Sequence, residues 1–143
     1  MATAPPETVR VAHRFAASAE EVFDAWLDPE RAARFLFATP TGQIVQCDID
    51  ARVGGKFLII DRRDGGDVAH VGEYLEMHRP MRLVFDFAVP KYSAQVTRVT
   101  IAIAPLAAGC ELTLTHENVL AEWASQTEEG WKKILEGLES SLQ

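Results

Sequence analysis

The chain has 143 residues, of which 48% are hydrophobic and 24% charged, and its formal net charge is −7. This is ordinary usage for a single folded domain and excludes disorder, collagen and coiled coil as the main state. No apolar run approaches the roughly 18 to 20 residues of a membrane-spanning helix. The acidity, spread over both halves, has the wrong sign for nucleic acid or an anionic membrane surface.

Residues 1–7 read as a flexible arm and residues 8–143 as one domain. The opening Met-Ala-Thr-Ala-Pro-Pro-Glu has no basic segment followed by an apolar one, so it does not read as a secretory signal and the expected compartment is cytoplasmic. Cys47 and Cys110 are far apart, lie in apolar strand-like stretches and make no CxxC, which predicts buried reduced thiols.

Residues 8–16 alternate, with Val9, Val11, His13 and Phe15 on one side, and predict a half-buried strand. Ser18-Ala19-Glu20-Glu21 is a capping box opening a short helix that buries Val22, Phe23 and Trp26. Asp28-Pro29 starts a second short helix, with Asp28 as cap and Pro29 at its first position. Strands follow at residues 43–50, 56–63, 69–77, 82–88, 95–104 and 110–117, separated by glycine- and proline-containing turns, of which Asp64-Gly65-Gly66-Asp67 is a hairpin signal. Trp131, Ile134, Leu135, Leu138 and Leu142 then form one apolar stripe on a C-terminal helix of about 16 residues. Ser125 or Thr127 is its expected cap, with Glu128 and Glu129 in its first turn. Gly130 is a weak point in that helix that would permit close packing on the sheet.

Strands in one hairpin-linked block imply an antiparallel sheet. The order therefore predicts an α+β fold: a curved antiparallel sheet of six to seven strands around a long C-terminal helix, with two short helices after the first strand. A sheet gripping a helix leaves a space between them, and such spaces are common ligand sites.

Several segments resemble one known family. Residues 19–30, Ala-Glu-Glu-Val-Phe-Asp-Ala-Trp-Leu-Asp-Pro-Glu, are similar to the opening motif of the activator of heat-shock-protein-90 ATPase homologues. These belong to the START-like, helix-grip (SRPBCC) superfamily. Further matches follow in order at residues 50–57, 71–76, 80–85, 99–101, 111–116 and 130–138, so the resemblance covers about residues 8–142. It departs at Arg34-Phe35-Leu36-Phe37, where the family often has a tryptophan pair, and before Gly130-Trp131, where a common histidine is absent. The resemblance implies a helix-grip fold with an internal cavity. Such proteins bind or transport hydrophobic molecules, cyclise polyketides or partner a chaperone.

Candidate site residues follow from polar or aromatic groups on otherwise apolar faces. For a binding module, Phe35, Phe57, Phe85, Phe87, Trp131 and Leu135 would contact a small hydrophobic or amphipathic ligand, and Tyr74 or His116 would orient it. For an enzyme of cyclase, hydrolase or dehydratase type, His13, Glu73 and His116 would supply acid–base chemistry. Parity alone leaves open whether Glu73 or Tyr74 faces inward. A chaperone partner would need an exposed docking surface, and the sequence shows no large exposed apolar run.

Asp50 and Arg52 read as a structural pair beside Gly54-Gly55, with a polar ligand anchor as the alternative. Gly54-Gly55-Lys56 is not a phosphate loop, because Asp50 and Phe57 stand where it needs glycine and serine or threonine. His13, His70, His78 and His116 form no metal-binding spacing, and no metal or cofactor is expected. A two-fold homodimer is carried as the alternative to a monomer.

Overall fold

The computed structural model describes residues 5–39 and 41–142. Strand β1 (Glu7–Phe15) is followed by helices α1 (Ala19–Leu27) and α2 (Pro29–Phe35). Then come β2 (Gln43–Ile49), β3 (Lys56–Arg63), β4 (Gly66–His78), β5 (Arg82–Ala88), β6 (Thr97–Leu106) and β7 (Gly109–Val119), and last the long helix α3 (Ala124–Ser141). The strands form one antiparallel seven-stranded sheet in the order β1-β7-β6-β5-β4-β3-β2. This is the α+β helix-grip architecture expected from the sequence. Residues 1–4 of the expected arm lie outside the described residues. No described helix is long and apolar enough to cross a membrane.

Local chemistry sets the helix starts. The Ser18 hydroxyl accepts the Glu21 amide at 3.2 Å, and the Asp28 carboxylate accepts the Glu30 amide at 3.0 Å beside Pro29. The start of α3 differs from expectation. Neither Ser125 nor Thr127 caps it: a three-ten turn, Ala121–Trp123, runs directly into the helix, and Trp123 is the cap without a side-chain bond. The first turn of α3 is therefore free of acid, and Glu128 and Glu129 pair with Lys132 one turn later.

The core lies between α3, the two short helices and the concave sheet face. Trp131, Leu135 and Leu138 are buried, each contributing about 2–3 kcal/mol of apolar burial, while Ile134 and Leu142 pack at its margin. Both cysteines are free; Cys110 is buried and Cys47 half-buried, where burial pushes its thiol up to about 11.

Strand β4 explains why parity was ambiguous. Val68, His70 and Tyr74 face the core, and by alternation Glu73 lies on the other face. A bulge between Tyr74 and Glu76 inserts one residue, so Met77, of opposite parity, also turns toward the core. Gly72 sits where a Cβ would meet the Asp86 carbonyl at 2.0 Å and the Phe57 ring at 2.3 Å. The ring of Phe57 thus passes directly over the strand backbone.

Candidate ligand cavity

A cavity of about 780 Å³ opens between the N-terminal half of α3, the segment leaving α2 and the concave sheet. This lies within the range of small-molecule sites. Phe35, Phe37, Phe87, Trp131 and Ile134 supply apolar wall, and Thr39, Arg63, His70 and His116 supply polar groups. A smaller space of about 150 Å³, toward Tyr92 and Trp123, shares Phe87, Val89, His116 and Thr127 with it.

Phe37 is the main aromatic wall. It leaves α2 with a positive φ of 60°, a region where a bulky residue is strained. That conformation places its ring parallel to His70 at 4.3 Å and to Phe87 at 4.9 Å, with Trp131 edge-on at 5.8 Å. Stacking and burial of the ring offset the backbone cost.

His116 lies at the centre of a directional chain. The Trp131 indole N–H donates to His116 Nδ1 at 2.9 Å. Indole nitrogen only donates, so Nδ1 carries the lone pair and Nε2 carries the proton. Nε2–H then donates to the Thr97 hydroxyl at 2.6 Å, and Thr97 donates to the Phe87 carbonyl at 3.0 Å. Both ring nitrogens are occupied, and burial lowers the imidazole to about 4, so it is neutral at pH 7.

His70 has the opposite tautomer. Its Nδ1 approaches the Ile59 carbonyl at 3.2 Å and must donate, leaving Nε2 as an acceptor without a partner among the described residues. Burial, aided by the Arg63 charge, lowers it to about 4 against the opposing pull of backbone carbonyls.

Behind the cavity wall, Asp61 is fully buried. Its Oδ2 accepts from Thr39 at 2.8 Å and from Arg63 Nε at 2.7 Å, while Oδ1 has no partner among the described residues. Arg63 counters this buried charge from the cavity side.

Of the residues expected at a ligand site, Phe35, Phe87, His116 and Trp131 line the cavity. Phe57, Tyr74, Phe85 and Leu135 are instead in the packed core: Phe85 meets Phe57 edge-on at 5.4 Å, and Tyr74 lies 5.6 Å from Phe57. The structure does not bring His13, Glu73 and His116 together. His13 binds Glu139 two turns along α3 from Trp131, Glu73 is on the far side of β4, and His116 is held by Trp131 and Thr97. Asp50 and Arg52 pair at 2.8 Å in the exposed β2–β3 turn, away from the cavity.

Gly130 is also placed differently. It lines the cavity, and a Cβ there would meet nothing within 4 Å, so it leaves open space rather than permitting close packing. Sequence reading missed Thr39, Arg63 and His70 as cavity residues, whereas Phe37 is among the aromatics it allows at a pocket. Alternation through Val68, His70 and Tyr74, and through Ile59, Asp61 and Arg63, was the signal that could have found Arg63 and His70.

The fold is shared with solved bacterial proteins. Protein CV1439 from Chromobacterium violaceum superposes with a TM-score of 0.86 at 26% identity, over 93% of this chain and 94% of that one. Protein NE0264 from Nitrosomonas europaea gives 0.80 at 20% identity, over 94% and 93%. An AHSA1-like protein from Aeromonas hydrophila gives 0.80 at 21%, over 95% and 92%. No curated protein matches the chain. The model of the Activator of Hsp90 ATPase homolog 1-like protein family matches residues 16–143, and the chain belongs to that family.

Proposed function

We propose that this protein binds a small hydrophobic or amphipathic molecule in the cavity between α3 and the sheet. The observation that carries the reading is the aromatic cavity of about 780 Å³, kept open on its helix side by Gly130. A glycine inside a helix costs about 1 kcal/mol against alanine. Here it does not relieve a clash, since a Cβ at that position would stand in empty space. Binding accounts for keeping that space clear. Membership of a helix-grip family fits the same reading.

The neutral methyl ester of pyrenebutyrate tests it. Binding in the cavity brings pyrene beside Trp131, so tryptophan emission falls as pyrene emission rises. Gly130→Leu places a side chain in the cavity and abolishes this transfer while the protein stays folded. Failure of the ester to bind at its solubility limit, or equal binding by folded Gly130→Leu, would contradict the proposal.

A further inference from the structure

The distribution of charge around the cavity runs against that of the whole chain. The protein carries 21 acidic and 14 basic residues, yet Arg34, Arg63 and Lys133 line the cavity and Glu129 is its one acidic lining residue among those described. Glu129 already approaches Lys132 at 3.7 Å.

Two of these three cations also have no carboxylate partner among the described residues. Elsewhere, Arg14, Arg31, Arg52, Arg62, Arg79, Arg82 and Arg98 each approach a carboxylate within 4 Å. Among the described residues, Arg34 and Lys133 make no such approach, a property they share with Arg10, Lys56 and Lys91 outside the cavity. Arg34, in the last turn of α2, favourably meets the helix dipole. That role does not require it to line a cavity.

Arg63 has a more specific arrangement. Buried Asp61 holds it through Nε at 2.7 Å, and Thr39 steadies the same carboxylate oxygen. This leaves the edge formed by the two terminal guanidinium nitrogens without a partner among the described residues. A guanidinium edge held in place is suited to two parallel bonds with a planar oxyanion. Asp61 reduces the local positive charge, and Arg34 and Lys133 restore it.

We infer that the ligand of this cavity is an amphipathic anion: an apolar, ring-containing body against Phe37, Phe87 and Trp131, and a carboxylate received by Arg63 with Arg34 and Lys133. This rests on the proposed binding function and specifies its ligand class. Asp61 acts through Arg63 and is a positioning residue.

Pyrenebutyrate and its methyl ester differ in the charge of one group, and their comparison at pH 7 is the test. The acid is expected to bind about tenfold more tightly than the ester, the gain of one charge-assisted contact. Arg63→Gln removes that preference. Because Arg63 also neutralises buried Asp61, the double variant Arg34→Gln/Lys133→Gln, at exposed positions, serves as the second probe and reduces the preference without touching Asp61. Added salt weakens the acid more than the ester. Equal affinity of acid and ester in the unmodified protein overturns this inference and leaves ligand binding standing. A preference that persists in both variants also overturns it. Failure of both molecules to bind removes the binding function and this inference together.

Discussion

The indole N–H of Trp131 donates to Nδ1 of His116 at 2.9 Å, and this bond fixes the proton on the other ring nitrogen. His70, bound through Nδ1 to the Ile59 carbonyl, holds its proton on the opposite atom. Nitrogen-15 NMR at pH 7 should therefore report the Nε2–H tautomer for His116 and the Nδ1–H tautomer for His70. The same tautomer at both sites would contradict these hydrogen-bond directions.

Trp131→Phe keeps an aromatic ring but removes the donor to His116 together with part of the buried indole volume. The buried Nδ1 then lacks a partner, at a cost of about 1–3 kcal/mol. Urea unfolding should show this loss as a lower midpoint with an unchanged slope. A variant as stable as the parent would mean that the bond contributes nothing.

Stability should fall as pH is lowered from about 6.5 toward 4. Folded His70 and His116 resist protonation until about pH 4, whereas their ordinary value is 6.5. Between those values the unfolded chain binds more protons, so stability rises with pH. The contribution is present above 6.5 and is worth about 3 kcal/mol for each histidine. Asp24 and Asp67, held below their ordinary 3.8 by Arg79 and Arg62, lose their contribution only at lower pH. Unfolding midpoints at pH 7 and pH 5 should differ strongly in the parent and much less in His70→Gln/His116→Gln. Equal pH dependence in both would assign the effect to other groups.

Two glycines should respond oppositely to alanine. Gly130 lies in α3 with open space beyond its Cα, so Gly130→Ala should stabilise the protein by about 0.5–1 kcal/mol. Gly72 has the Asp86 carbonyl 2.0 Å from any Cβ, so Gly72→Ala should destabilise by about 1–3 kcal/mol. Thermal unfolding of the two variants checks both signs.

The fold was legible because its signals are local. Period-2 alternation in β1 and β5, the Ser18 and Asp28 caps, and the Trp131–Leu135–Leu138 stripe each carry their own physical cause. The start of α3 was not, because a three-ten turn replaces the side-chain cap that serine or threonine would announce. The cavity was half legible. Aromatic residues announce burial, but whether a ring such as Phe57 packs in the core or one such as Phe87 meets a void depends on contacts between distant strands. Phe37 reaches the cavity through a left-handed backbone conformation that its residue type gives no reason to expect.

Ligand binding between α3 and the sheet is tested most directly by an NMR titration of the protein with pyrenebutyrate, following amide and aromatic resonances. Occupancy of the cavity predicts shifts concentrated at Phe37, Arg63, His70, Phe87, Gly130 and Trp131, the residues around it. Absence of shifts at millimolar ligand, or shifts confined to residues outside the cavity, would contradict binding there.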